Sequence, residues 1–439
     1  MSISYSIKML MDIQDPNITF EEDCVYEGTK KGHACRYVKG LLTYVPAHCD
    51  ACGVINENYT IIKHGTKTST ITLPINGVKK SYLKLKKQRF YCRACQCTFS
   101  AKTPLVDEGC FISKGTQAQA IIKSAEASSK DIAPDCGVSS STVQRVINRE
   151  SKLYTGMHQT LPKNLSFDEF KYAKGQMAFT YIDAESGDII DILPQRDGRT
   201  IRDHFVTNYS LKQRKQVKTI TIDRNAGYVS LIKELFPNAR IIIDRFHLVQ
   251  LITRSMNKVR VQVMNTFHTS KGEDLKKYRR LKRYWKLLLK WEKDLSNTEY
   301  KYYHLFGQCL DTTVVTELLG YSSELKAHYD LYQKLLTVFK SKDHDQLEKI
   351  LQEPTNPVIF NVMRTSLKTL RKHAPYIKNS FLYPFSDSRI EGINNKIKVL
   401  NRVVYGYRNF YHYKHRILLH FKFKAVEQKQ QKKTHAPAA

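Results

Sequence analysis

The sequence predicts a multidomain α/β chain in which a mixed five-stranded sheet carries a large all-helical insertion. Three observations lead to this class. Two Cys-x-x-Cys pairs bracket a strand-rich stretch within the first hundred residues, residues 165–243 alternate strand and helix patterns, and residues 238–353 contain no proline and little glycine. A chain of 439 residues exceeds one ordinary core, and 41% hydrophobic with 11% aromatic content can fill several. No stretch approaches the roughly 18 consecutive apolar residues of a membrane span, so the protein is expected in the cytoplasm, with no membrane partner.

The first element is the cysteine-rich one. Cys49-x-x-Cys52 precedes Gly53, and Cys92-x-x-Cys95 lies in RFYCRACQCTFS. Two such turns each present two thiolates to a single structural Zn²⁺, which closes the strands between them into a zinc ribbon. The stretch between the pairs is longer than in a compact knuckle, which predicts an inserted hairpin. Reduced thiols in a small core are the alternative; Cys97 competes with Cys95 as a ligand, and His48 competes more weakly. Ten cysteines in a reducing compartment do not read as a disulfide framework. Cys24, Cys35, Cys110, Cys136 and Cys309 read as buried small apolar groups.

Next, SSKDIAPDCGVSSSTVQRVINRE predicts a short helix, a turn at Cys136-Gly137 and a second helix from about Ser140, a helix-turn-helix pattern. Thr142, Gln144, Arg145 and Asn148 are polar side chains suited to base edges and phosphates. Pro134 departs from the pattern, because its ring removes a donor inside the first helix. An ordinary helical hairpin is the plainer alternative.

NLSFDEF, MAFTYIDA and DIIDILP are strand-like runs separated by Lys174-Gly175 and by Glu185-Ser186-Gly187-Asp188, which is hairpin chemistry. A helix-like segment around Ile201 to Tyr209 follows, then VKTITID, the amphipathic GYVSLIKELF, and ARIIID. Meander plus right-handed parallel crossover makes the five-stranded mixed sheet, in the element order of a ribonuclease H-like domain. Asp168 and Asp223 are expected at or near the carboxyl ends of neighbouring strands, where open α/β sheets build sites and paired carboxylates chelate hard cations. A lone strand-end aspartate is otherwise a turn former.

In FSDSRIEGINNKIKVLNRVVYGYRNF, Ile390, Ile393, Ile397, Leu400 and Val404 form the buried stripe of a helix. Glu391, Asn394, Asn395, Lys398 and Arg402 share an adjacent polar face, suited to a metal ligand beside a DNA phosphate track. The competing reading is a capping box, Ser388-x-x-Glu391, in which Glu391 only satisfies a backbone amide. Glu169, Asp183 and Asp387 read as turn, cap or surface acids.

Taken in order, the cysteine pairs, the helix pair, LSFDEF, ITIDRNAGY, FPNARIIIDRFHLV and SRIEGINNKIKVLNRVVYGYRNFYHYKHRILL resemble the ISL3 family of bacterial insertion-sequence transposases. The resemblance runs over most of the chain, with the closing motif and DRFH its most specific parts. It implies a DDE triad at Asp168, Asp223 and Glu391, holding two Mg²⁺ or Mn²⁺ ions on a ribonuclease H-like fold. Asp244 and His247 resemble an aspartate-x-x-histidine signature of related transposases, which implies a role in orienting a phosphate or steadying the acids; a helix N-cap with a packed histidine is the alternative. The implied partners are double-stranded DNA, as terminal inverted repeats and target, and further copies of the chain in a synaptic complex of at least two.

Charge agrees with such a partner. Lys and Arg number 71 against 41 Asp and Glu, a formal net charge of +30. Residues 254–294 hold 13 Lys or Arg against 4 acids, interleaved with Tyr278, Trp285 and Trp291, and residues 391–439 hold 11 against 2. The expected organisation is an N-terminal segment 1–45, zinc ribbon 46–105, helix-turn-helix 114–160, catalytic core 161–247, helical insertion 248–385, final core helices 386–425 and a disordered basic tail 426–439. The resulting expectation is cut-and-paste transposition. The competitors are a non-enzymatic DNA-binding regulator and a ribonuclease H-like nuclease without strand transfer.

Overall fold

Residues 3–434 are described in the computed structural model, except 31, 153–159, 224–225 and 405. The chain divides into two units, Met1–Met157 with Lys396–Ala439, and His158–Asn395.

In the first unit, strands Ile18–Thr19, Val25–Lys30, His33–Leu42, Ile61–Asn76, Lys79–Cys92 and Thr98–Ser100 form one six-stranded sheet. The expected inserted hairpin is the pair Ile61–Asn76 and Lys79–Cys92, turned at Gly77 with φ +76°. The N-terminal segment is not separate from the ribbon. His33–Leu42 runs parallel to Lys79–Cys92, and Ile18, Val38 and Leu42 share a core with Ile71, Leu83, Leu85 and Phe90. The two parts bury one shared apolar core.

Helices α1 (Ser129–Asp135) and α2 (Ser140–Lys152) follow. Ser128 and Asp131 form a capping box at α1, and the Thr142 amide donates to Ser139 Oγ at 3.2 Å at the start of α2. Gly137 supplies the left-handed turn between them, φ +64°. Pro134 lies inside α1, in the sixth of its seven residues, where the proline removes a single intrahelical donor.

The second unit is built on β1 (Asn164–Ala173), β2 (Gln176–Asp183), β3 (Ile189–Leu193), β4 (Thr219–Ile222) and β5 (Arg240–Ile243). Their order is β5-β4-β1-β2-β3, with β1-β2-β3 an antiparallel meander and β4 parallel to both β1 and β5. Helix Ala226–Leu235 links the parallel pair β4 and β5. One face of the sheet packs on an aromatic cluster in which the Phe205 ring lies 5.7 Å from Phe167 and 5.0 Å from Phe236. Phe205 is fully buried, so Phe205→Ala is expected to cost about 3–5 kcal/mol. Its denaturant midpoint should fall with the slope unchanged; an unchanged midpoint would remove this cluster from the core.

From α3 (Arg245–Thr266) to helix Asn361–Leu382 the chain is mostly helical. The segment expected to be an all-helical insertion is not all-helical, however. Lys301–Tyr303 and Gly307–Cys309 form an antiparallel hairpin, in which Gly307 takes φ +77° and the Tyr303 ring packs edge-on against Tyr284 at 5.4 Å. Absence of proline permits helix without compelling it, and an aromatic run ending in glycine favours a turn. Trp291 is anchored rather than free, its Nε1 donating to Thr337 Oγ1 at 3.0 Å, whereas Trp285 is exposed.

Two helices close the chain, α4 (Ser388–Val403) and α5 (Phe410–Thr434). The unit boundary falls inside α4, so residues from Lys396 onward belong with the first unit and not with the sheet. Leu419 of α5 shares a core with Ile132, Val143 and Ile147 of the helix pair. The disordered tail expected from residue 426 is helix as far as Thr434, because Gln, Lys and Glu are good helix formers and no proline intervenes before Pro437. Residues 435–439 lie outside the described residues.

Candidate active site

Parallel pairing aligns Phe167 of β1 with Ile222 of β4, and Ile222 with Ile243 of β5. Each of these buried residues is followed by an aspartate, Asp168, Asp223 and Asp244, so the three acids stand in one row across adjacent strands. Neighbouring strands lie about 4.8 Å apart, and alternation turns the row away from the face that holds Phe167. Asp168 is mid-strand, because β1 continues to Ala173; it is level with the carboxyl end of its shorter neighbour β4. Arg224 and Asn225 of the ITIDRNAGY motif lie outside the described residues.

Asp168 is the most enclosed of the three acids expected to form a triad. Its Oδ1 accepts the Glu169 amide at 2.7 Å, and its Oδ2 accepts Asn394 Nδ2 at 2.7 Å. Burial raises its carboxyl above the usual range, with the charges of Asp223 and Glu169 adding to the effect and the two hydrogen bonds opposing it. Asn394, expected on a DNA-facing surface, is instead buried against Asp168, and its Oδ1 is buried without a hydrogen-bond partner. It lies one turn beyond Glu391, at the edge of the stripe formed by Ile390, Ile393 and Ile397. Asn395, Lys398 and Arg402 are exposed.

Glu391 sits in the first turn of α4, and its amide donates to the Asp387 carbonyl at 2.9 Å. Asp387 is therefore the N-cap residue and Ser388 the first helical one, so the Ser388-x-x-Glu391 capping box does not form. Ser388 Oγ pairs with Ser386 Oγ at 2.9 Å. The Glu391 side chain makes no hydrogen bond or ion pair among the described residues. It lines a cleft of about 740 Å³ with Asp244, Asp387, Phe246 and Phe385. Arg389 donates to the carbonyls of Ala184 and Glu185, fixing the start of α4 to the β2-β3 turn.

Asp244 caps α3, accepting the Phe246 amide at 2.6 Å. His247, one turn into α3, places Nδ1 3.6 Å from Asp223 Oδ1 and Nε2 2.6 Å from Asp387 Oδ2. The hydrogen bond to Asp387 pushes the imidazole up to about 9, with the charges of Asp223 and Asp244 assisting and burial opposing. Asp387 reads from sequence as a surface or cap acid. The structure buries it, and burial together with Asp244 pushes its carboxyl up to about 6 against the pull of His247. Nothing local signals this role, since Ser-Asp-Ser before a helix is ordinary cap chemistry. Glu169 pairs with Arg196 and accepts Tyr228 Oη at 2.7 Å, and Asp183 accepts the Glu185 amide in its turn.

This donor set, carboxylates with an amide oxygen beside them, has the chemistry that hard divalent cations require. Asp168, Asp223 and Glu391 are not drawn within 4.8 Å of one another. Among the described residues the only group of three or more metal-ligating side chains that close is Cys49, Cys52, Cys92 and Cys95. There Cys49 Sγ lies 3.7 Å from Cys95 Sγ, and Cys52 Sγ 3.9 Å from Cys92 Sγ. Zn–S bonds of about 2.3 Å in a tetrahedron put sulfurs about 3.8 Å apart, so the cluster fits a structural zinc. Amides of Cys52 and Ala51 hold the Cys49 thiol down to about 7, favouring the thiolate a metal needs. Cys97 is exposed and His48 is outside the group. Cys24, Cys35 and Cys136 are buried as expected, whereas Cys110 and Cys309 are half-buried.

In the helix pair, all four expected base readers make side-chain hydrogen bonds within the fold. Gln144 Nε2 donates to Asn148 Oδ1 at 2.9 Å, and His415 Nδ1 of α5 lies 3.1 Å from the same oxygen. Thr142 Oγ1 accepts from Arg145 at 3.1 Å and joins the Ser139 cap. Of the four, Arg145 is the exposed one. The final helix covers the Gln144–Asn148 face, a contact invisible in the local sequence.

A family model of ISL3-type DDE transposases, described as "Transposase", matches residues 165–417. The "Transposase for insertion sequence element IS1001" of Bordetella parapertussis is 26% identical over 247 residues, 56% of this chain and 57% of that protein. An "ATP-dependent protease" of Lactococcus lactis subsp. lactis is 38% identical over 109 residues, 25% of this chain and 34% of that protein. The chain thus spans between about a third and just over half of the length of these relatives. Its sequence holds no Gly-Lys dipeptide, and so no G-x-x-x-x-G-K-[ST] phosphate loop.

Proposed function

Because the chain belongs to the ISL3 family of transposases, whose model matches more than half of it, we propose that it cuts and joins DNA at the ends of an insertion sequence by a DDE mechanism. The observation that carries this reading is the alignment of Asp168, Asp223 and Asp244 on adjacent strands, with the unpartnered Glu391 carboxylate on the wall of the cleft that Asp244 also lines. On this reading the sheet of residues 161–247 is a ribonuclease H-like core and residues 248–385 are its insertion. Residues 46–105 and 114–160, a zinc ribbon and a helix-turn-helix, recognise terminal inverted repeats.

Asp168, Asp223 and Glu391 would hold two Mg²⁺ or Mn²⁺ ions. When bound, these ions supply a more acidic nucleophile and neutralise charge on the attacking and leaving oxygens. Asn394 fixes Asp168 Oδ2 and the Glu169 amide fixes Oδ1, while each oxygen keeps a second lone pair for a ligand. His247 places its Nδ1 3.6 Å from Asp223 Oδ1, which orients that carboxylate. In the first step a water oxygen bonds to phosphorus and the 3′-oxygen departs as a hydroxyl. That hydroxyl then attacks a target phosphodiester and displaces its 3′-oxygen, conserving the number of ester bonds. Arg145, Asn395, Lys398 and Arg402 are the exposed groups assigned to DNA contact, and synapsis of two ends requires at least two copies of the chain.

The test is a purified protein incubated with labelled duplex carrying the element's ends, with and without Mg²⁺. Cleavage that needs the cation and leaves 3′-hydroxyls joined to a second duplex is expected. Binding without cutting identifies a regulator, and cutting without joining identifies a nuclease.

A further inference from the structure

Asp387 makes two hydrogen bonds that no turn or surface acid requires, besides accepting the first intrahelical bond of α4 as any N-cap residue does. Its Oδ2 holds His247 Nε2 at 2.6 Å, its amide donates to Asp244 Oδ2 at 2.8 Å, and its carbonyl accepts the Glu391 amide at 2.9 Å. It is 6% exposed. The residues it joins come from segments more than 140 positions apart in sequence, the end of β5 and the start of α3 on one side and the head of α4 on the other. An N-cap aspartate ordinarily turns its carboxylate to the amides of the first helical turn; that of Asp387 bonds an imidazole instead. With Nε2–H held by Asp387, the ring orientation is set and Nδ1 faces Asp223 Oδ1 at 3.6 Å.

We propose that Asp387 is a positioning residue for the acidic site. Acting through His247 it orients the ring beside Asp223, and through its backbone it holds the helix bearing Glu391 and Asn394 to Asp244. One residue thereby keeps acids from three chain segments in a common frame for a divalent cation. A carboxylate that orients an imidazole beside a metal-binding group acts without touching the metal, and loss of such a partner typically lowers metal affinity or activity about 10–100-fold. The inference rests on the DDE reading, so its test carries a control for that reading.

The measurement is Mn²⁺ binding to the zinc-loaded full-length protein without DNA, by calorimetry or by the electron paramagnetic resonance of free Mn²⁺. Asp387→Ser keeps a capping oxygen for α4 but does not reach His247; Asp387→Asn keeps both the cap and an acceptor for Nε2–H. Asp387→Ser and His247→Ala are each expected to weaken Mn²⁺ binding about tenfold. The double variant should be no weaker than either single one, since both remove the same contact. Asp387→Asn should stay within about threefold of the parent, a rescue that a purely structural cap would not distinguish from Asp387→Ser. Additive losses, or an Asp387→Ser protein that binds Mn²⁺ like the parent while Asp223→Asn does not, overturn the positioning role and leave the DDE reading intact. Mn²⁺ binding indifferent to Asp223→Asn overturns both.

Discussion

Asp223→Asn is expected to lower DNA strand cleavage by about 10³-fold or more while leaving binding to the element's ends within about threefold. Asparagine keeps the shape of the side chain and removes the charge that attracts a divalent cation. Asp223 is half-exposed beside His247, so its variant should not disturb the core. The sign of the binding effect follows from charge: removing an acid from a site that phosphates approach leaves affinity unchanged or raises it. Asp168→Asn and Glu391→Gln should behave alike. Gel-resolved cleavage of end-labelled duplex, beside a mobility-shift titration of the same DNA, separates the two quantities. Full cleavage by any one of the three purified variants would remove that residue from the triad.

The readability of the site varied with the distance over which its parts are brought together. The strands that carry or precede Asp168 and Asp223 were legible, because LSF and ITI are apolar strand patterns that local alternation predicts. Their shared register was not legible, since the pairing of Thr219 with Asn164 joins positions 55 apart by contacts no local pattern encodes. The helix bearing Glu391 was legible from the Ile390, Ile393 and Ile397 stripe, yet the same helix misled about Asn394. A polar residue next to a stripe reads as exposed, but Asn394 lies at the stripe's edge and finds the Asp168 carboxylate as its partner. Asp387 was hidden because its cap chemistry is sufficient to explain it locally.

The fold divides in the same way. The five-stranded sheet, its turns at Gly175 and Gly187 and its crossover followed from hydrophobic period and glycine placement, and both glycines take left-handed φ, +74° and +81°. What escaped were associations between distant segments: the joining of residues 18–42 to the ribbon sheet, and the return of α5 to cover Gln144 and Asn148. The short Lys301–Cys309 hairpin escaped for a different reason, because helical periodicity on both sides masks a turn of nine residues.

The cysteine cluster supports the second large prediction, loss of metal and local structure in Cys49→Ser. Cys92 is the last residue of strand Lys79–Cys92 and pairs with Ile61, so the four thiols close the open end of the long hairpin. The parent should carry one zinc per chain, and the variant close to none. Zinc binding to unstructured peptides is worth on the order of 10–16 kcal/mol. Here the neighbouring core of Val38, Ile71, Leu83 and Phe90 already holds the sheet, so only a fraction of that is at stake. A loss of about 4 kcal/mol would lower the thermal midpoint by about 10 °C and open the two Cys-x-x-Cys turns to protease. Because a metal must displace thiol protons, zinc uptake by the apoprotein should weaken progressively as pH falls. Cys97→Ser is the discriminating control. Cys97 is exposed and stands outside the cluster, so its variant should retain full zinc and the parent midpoint. Should Cys97→Ser lose zinc while Cys95→Ser retains it, the fourth ligand is Cys97 and the Cys92-x-x-Cys95 turn is not the metal-binding one.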